Sequence, residues 1–200
     1  MSTRKVRIPP LPLDQWGDAE KAAVATFAQS NKQLQPNVQK KDQDLSALAL
    51  FLNYPDLAKA YLPYSTFILS HGKLSVRDRE LLILRVGYLR KSEYEWAQHV
   101  LICQGAEIPA KDVKRVPKGP EASGWTAKEK WMLRAADELV ETAMISDKTW
   151  NGLSKHFDKH QLMEIIFVVG TYDLVAMVFN TLGIPLNDNL RGILADHPLD

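Results

Sequence analysis

Apolar residues recur at intervals of three and four along most of this chain. No segment sustains the every-other-residue alternation of a half-buried strand, and no βαβ rhythm appears. The period predicts helices over about 14–30, 46–52, 55–70, 75–90, 92–105, 126–144, 146–157 and 159–182, with a short helical turn at 109–113. Pro9, Pro10 and Pro12 keep the first 13 residues extended. The stretch 31–42 is polar, contains Pro36 and reads as a loop, and 116–124, with two prolines and two glycines, reads as another. Pro55 suits a first helical turn, and His71-Gly72 suits a helix end. Ser75 with Asp78, Ser92 with Glu95 and Thr126 with Glu129 have the spacing of capping boxes. Gly183 stops the last long helix. Residues 184–200 contain proline and are expected to extend or dock loosely. The fold class is all-α. Its expected parts are an N-terminal extension and first helix (1–45), a helical domain (46–183) and a C-terminal tail (184–200).

A weak internal echo runs through the pattern. Glu80 precedes an apolar run ending at Gly87, and Glu164 precedes one ending at Gly170, with one residue of slippage. The echo points either to a duplicated helical hairpin or to chance in an apolar helical chain.

Composition narrows the function classes. With 25 Lys+Arg against 24 Asp+Glu the formal net charge is +1, which gives no electrostatic footprint for nucleic acid or an anionic membrane. The cluster Arg4, Lys5 and Arg7 reads as a solvated terminus. The N-terminus lacks the apolar core of a secretion signal, and no run of 18 uncharged apolar residues appears, so a cytoplasmic protein is expected. The single cysteine, Cys103, forbids an intramolecular disulfide and a dithiol pair within one chain.

The candidate chemistry sits on helices built for burial. Ser92, Glu95, His99 and Cys103 follow spacings of three and four and share one face. Glu95 and His99 can meet directly, and a carboxylate beside an imidazole can relay protons near neutral pH. Alternatively, Ser92 and Glu95 explain each other as helix caps, and His99 is a hydrogen-bonded core residue. Glu80 is either a solvated first-turn acid or part of the same relay. Arg85, inside an apolar run, needs a carboxylate partner if buried. His160 and Glu164 form a second pair at four-residue spacing, but no zinc motif or di-metal spacing accompanies them, and helix-surface pairing accounts for them. No metal and no cofactor are expected. Trp96, Tyr88, Tyr172 and Phe179 read as core or interface aromatics, of which one or two wall a pocket. Cys103 lies three turns into its helix, beyond help from the dipole, and reads as a buried structural thiol.

These residues give the chain a resemblance to the carboxymuconolactone decarboxylase family, which includes the alkyl hydroperoxidase D proteins. The matching region runs from about residue 48 to 104 and centres on 79–99. In the peroxidase branch a Glu is followed, after eleven residues, by Cys-x-x-Cys, three residues and a His. Here Glu80 is followed at those positions by Ser92, Glu95 and His99, so both cysteines are replaced. Tyr94-Glu95-Trp96 with His99 is similar to a longer branch of the family, which shares a C-terminal helical region like 157–183. The resemblance implies a helical bundle that assembles as a homo-oligomer, trimer or hexamer, with a dimer as a further option. It implies Glu80, Glu95 and His99 as catalytic groups, with Ser92, Trp96, Cys103 and Tyr172 beside a small-molecule substrate. The reading this supports is a cofactor-independent lyase or isomerase acting on a small carboxylated or lactone metabolite. In that reading Glu95 orients His99, and Glu80 holds a water or resets the relay. Two alternatives stay open: a hydroperoxide-reducing antioxidant protein that uses Cys103 alone, and a non-catalytic oligomeric binding protein.

Overall fold

The computed structural model describes residues 5–30 and 45–199. Among them run α1 (Asp18–Ser30), α2 (Ser46–Phe51), α3 (Pro55–Ser70), α4 (Val76–Leu89), α5 (Glu93–Gly105), α6 (Ala110–Val113), α7 (Ala127–Thr142), α8 (Asp147–Leu153), α9 (Lys159–Leu182) and α10 (Asp188–Asp196). Short 3-10 turns lie at Leu13–Gln15 and Val116–Lys118, and no strand occurs among the described residues. The fold is all-α, as the periodicity requires. The loop expected over 31–42 lies outside the described residues.

Two expected elements differ. The first helix starts at Asp18 because the Trp16 indole donates to the Leu11 carbonyl and turns the chain, and the Gly17 N–H donates to Glu20. The tail expected to extend or dock loosely does dock, and through a helix that was not expected: α10 packs on α5, Leu190 is buried and the Trp96 indole donates to the His197 carbonyl at 2.7 Å. The stripe that buries Leu190 is too short to announce itself as a period.

The described residues divide into two compact units. The first comprises 5–72 and 181–187. Its core is Ala23, Leu52, Ala58 and Leu62, flanked by Leu11, Trp16, Phe27, Phe51 and Tyr61. Here Gly183 has φ of 72°, and a Cβ on it would lie 2.2 Å from the Lys5 carbonyl oxygen, so only glycine fits.

The second unit comprises 73–180 and 188–199 and carries the site residues. Its centre is α4, where Leu81, Leu82, Ile83, Leu84 and Val86 are all fully buried. A helix apolar on every side is one surrounded by other helices. Ser75 caps it by accepting from the Asp78 N–H, and its C-terminus closes in a Schellman motif. Lys91 takes φ of 51°, its N–H donates to the Tyr88 carbonyl, and the Ser92 N–H donates to the Gly87 carbonyl at 2.8 Å. This elbow folds α5 back along α4. Helix α7 covers α4 from another side with buried Met132, Leu133, Ala135 and Ala136, and opens on the expected Thr126–Glu129 capping box. Arg85 finds its partner there: Nε lies 2.5 Å and Nη2 3.0 Å from the Asp137 carboxylate, and Nη1 donates to the Val116 and Pro117 carbonyls.

Helix α9 supplies Ile165, Val168, Val169, Tyr172, Val175 and Ala176 to the core. By length and mean hydropathy (24 residues, 2.0) it would suit a bilayer, but 56% of that apolar window is buried inside the protein. The two runs of the internal echo are both helical and do different work. Glu80 is buried against α5, whereas Glu164 accepts from the Lys73 and Leu74 N–H groups.

Candidate active site

Antiparallel packing of α4 on α5 brings Glu80, near the start of one helix, against His99 on the other. Oε2 of Glu80 lies 2.7 Å from Nδ1 of His99. The second oxygen, Oε1, accepts from Nε and Nη2 of Arg79 at 3.1 and 3.0 Å. Glu80 is 0% exposed and His99 7%. Burial alone would push the Glu80 carboxyl up; His99 and Arg79 outweigh it and hold the group below the usual carboxylate range. An ionised Glu80 accepts the Nδ1–H, so the free ring nitrogen is Nε2. The ring meets the edge of Tyr172, with centroids 5.0 Å apart and an interplanar angle of 89°. Glu80 is therefore not a solvated first-turn acid.

The expected contact between Glu95 and His99 does not form. Spacing of four puts both on one side of α5, but the α4–α5 elbow points Glu95 at the far end of α4. A Cβ built on Gly87 would lie 3.4 Å from Glu95 Oε1, so the glycine marks where the carboxyl packs. Neither Glu95 oxygen has a hydrogen-bond partner among the described residues, and neither does the Ser92 hydroxyl. Burial pushes the Glu95 carboxyl well above its usual range; the nearby Ser92 hydroxyl pulls weakly the other way, without hydrogen-bonding geometry, and the Asp173 charge adds to the rise. The capping box of Ser92 and Glu95 is absent as well: Ser92 is the N-cap residue, yet its side chain accepts no bond from the helix. Glu80 thus takes the orienting place that spacing alone assigned to Glu95.

The remaining candidates separate. Cys103, one turn beyond His99, is fully buried, and burial together with the Glu80 charge pushes its thiol up to about 12. Trp96 is buried between Tyr88, at a ring separation of 6.1 Å, and the carbonyl of His197. Phe179 stacks edge-on against Tyr94, 5.1 Å away. His160 and Glu164 do not pair: His160 is exposed beside Asp158, and Glu164 faces the backbone of 73–74. Among the described residues no group of three or more His, Cys, Asp or Glu side chains is arranged to hold a metal ion. Two contributors escaped the sequence reading. Arg79 fixes the second Glu80 oxygen, and its only signal was adjacency. The Arg90–Asp173 ion pair, which brings a charge near Glu95, joins residues 83 apart and left no signal.

The comparisons agree with this architecture. Residues 55–138 match the model of the carboxymuconolactone decarboxylase family, and no match is found among curated proteins. Among solved structures, a variant of the debrominase Bmp8 in complex with 2,3,4-tribromopyrrole shares 11% identity, with all of both chains covered and a TM-score of 0.77. An uncharacterised peroxidase-related protein with an alkylhydroperoxidase AhpD core, from Ralstonia eutropha JMP134, shares 18% identity over 94% of this chain and 95% of its own, with a TM-score of 0.72. A peroxidase-related protein from Silicibacter sp. TM1040 shares 16% over 96% and 98%, with a TM-score of 0.74. At such identities these likenesses speak for the fold. Residues 55–138 therefore carry the likeness to the carboxymuconolactone decarboxylase family, within an all-helical fold like that of the AhpD-core protein.

Proposed function

We propose that this protein is a cofactor-independent proton-transfer enzyme, a decarboxylase-like lyase or an isomerase, acting on a small carboxylated or lactone metabolite. The observation that carries the reading is the buried Glu80–His99 hydrogen bond of 2.7 Å, with Arg79 holding the other carboxylate oxygen. Replacing a buried ion pair by apolar residues of similar volume is often neutral or stabilising, so stability by itself is a weak reason for a pair at this place.

In the lyase version the bond between the substrate's α-carbon and its carboxylate breaks. CO₂ leaves, and the electron pair stays on the carbon as an enolate. His99, protonated on both nitrogens, gives the Nε2 proton to that carbon and keeps the Nδ1 proton, which stays hydrogen-bonded to the Glu80 carboxylate. Solvent then returns a proton to Nε2. The Glu80 charge compensates the cation during the cycle, and Arg79 keeps the carboxylate in register. In this reading Tyr172 walls the substrate beside the imidazole. Glu95, disposed to keep its proton, takes part as a neutral carboxyl near the elbow. Ser92, Trp96 and Cys103 shape the frame. A thiol-based peroxidase reading has against it a lone buried thiol pushed up to about 12.

The test is turnover in D₂O with a panel of small carboxylated and lactone compounds, followed by NMR. The wild type is expected to release CO₂ or shift a double bond with one solvent deuterium placed on carbon, and His99→Gln to lose this. Full turnover by a folded His99→Gln overturns the mechanism.

A further inference from the structure

Helices α4, α5, α7 and α8 each open on a Ser or Thr cap residue. In α4, α7 and α8 the cap closes directly. Ser75 accepts from the Asp78 N–H, Thr126 from the Glu129 N–H and Ser146 from the Thr149 N–H. At these residues ψ is 153°, 162° and 153°, the extended backbone that turns a cap hydroxyl over the third amide of its helix. Helix α5 has the same spacing in Ser92 and Glu95 but makes no side-chain cap bond. There the elbow holds Ser92 at ψ of 89°, and the hydroxyl misses the Glu95 N–H.

The uncapped turn is also shut off from bulk solvent. Ser92 is 0% exposed, Glu95 1%, Tyr94 3% and Trp96 1%. Three side-chain oxygens lie there without a hydrogen-bond partner among the described residues: the Ser92 hydroxyl and both oxygens of Glu95. The two side chains come from one place. The Ser92 N–H donates to the Gly87 carbonyl, and the Glu95 carboxyl packs against the same glycine. Buried polar groups are nearly always hydrogen-bonded. The first amides of a helix have no acceptor within it, so an enclosed helix start needs a partner from elsewhere.

We propose that one internal water molecule is a built part of this turn, hydrogen-bonded to the Ser92 hydroxyl, the Glu95 carboxyl and the Glu95 N–H. The chemistry of these groups selects a small neutral occupant that both donates and accepts. The N–H only donates, whereas the Ser92 hydroxyl and a protonated Glu95 do either. Internal waters typically make about three hydrogen bonds to groups that are otherwise unsatisfied. A calcium-like cation takes about six to eight oxygen ligands, more than two residues supply. An anion would face the Asp173 charge, which already favours a neutral Glu95. The water completes the cap that the backbone of Ser92 prevents, and it accepts the Glu95 proton in a hydrogen bond. The inference stands apart from the reaction proposed for Glu80 and His99.

A crystal structure of the full chain that resolves ordered solvent tests it. A water within hydrogen-bonding distance of Ser92 Oγ and of a Glu95 oxygen is expected. A direct Ser92–Glu95 hydrogen bond with no solvent beside it overturns the proposal. In solution, magnetic relaxation dispersion of the solvent deuterons counts long-lived internal waters. Ser92→Ala with Glu95→Met removes both side-chain partners and is expected to lower the dispersion amplitude by the share of one water. An unchanged amplitude in the folded double variant overturns the proposal as well. Should that variant fail to fold, the wild-type crystal structure still decides.

Discussion

The imidazole of His99 is held by Glu80, 19 residues earlier on the neighbouring helix, and not by Glu95 one turn away on its own. The two acids consequently differ in character. Glu80 has a partner on each oxygen and is pulled toward ionisation; Glu95 has no hydrogen-bond partner among the described residues and is pushed toward its neutral form.

Glu80→Gln keeps the shape and removes the charge. Turnover is expected to fall by about 10²–10⁴-fold, the usual contribution of a positioned acid–base group. Stability is expected to fall by about 3 kcal/mol, since Arg79 is left half of a broken buried pair. The pH dependence has a definite sign. A carboxyl whose folded value lies below its unfolded value stabilises above the ordinary carboxylate range, and that stabilisation is lost as pH falls toward the folded value. Urea unfolding at a series of acid pH values should show a steeper slope in the wild type than in Glu80→Gln, since Glu129 and Glu138 are held low as well and keep their share.

Glu95→Gln should behave in the opposite way. With the folded value raised, stability is fully present below the ordinary carboxylate value. It is lost as pH rises from there through the folded value, by up to about 1.4 kcal/mol per pH unit. Glutamine mimics the protonated acid, so the variant is expected to be more stable than the wild type near neutrality, by a margin that grows as pH rises across that window. Thermal unfolding of both proteins from pH 4 to 8 measures it, and a difference between them that does not change with pH refutes the neutral carboxyl.

Cys103 is expected to resist a thiol-blocking reagent in the native protein at mildly alkaline pH and to react once unfolded, because its ionisation is pushed up to about 12. Cys103→Ser should leave any turnover of the carboxylated or lactone panel within a few-fold. Hydroperoxide reduction that disappears in this variant would restore the antioxidant reading.

Asp137→Ala strips the buried Arg85 of its two-pronged partner and leaves only the Val116 and Pro117 carbonyls. A loss of about 3 kcal/mol is expected. The double replacement Arg85→Met with Asp137→Leu should recover most of that loss. A chemical denaturation cycle over the single and double variants measures both.

How much of this was legible beforehand follows from range. The span of α9, the proline opening α3 and the capping box of α7 are local matters, settled by spacing within one helix. The burial of Glu80 was not visible, because a Glu beside two arginines reads as a surface turn until other helices surround it. The helix in 184–200 was missed because its docking on α5 depends on a partner about 100 residues away.

The order of residues alone determined an all-helical chain in which Glu80, Glu95 and His99 lie on two adjacent helices, since the 3.6-residue turn dictates which side chains share a face. Which acid meets the imidazole was decided only by tertiary structure. The left-handed Lys91 and the small Gly87 set how α5 folds back on α4. That register puts His99 opposite the first turns of α4 and Glu95 opposite its last, a relation between helices that no spacing along one helix contains.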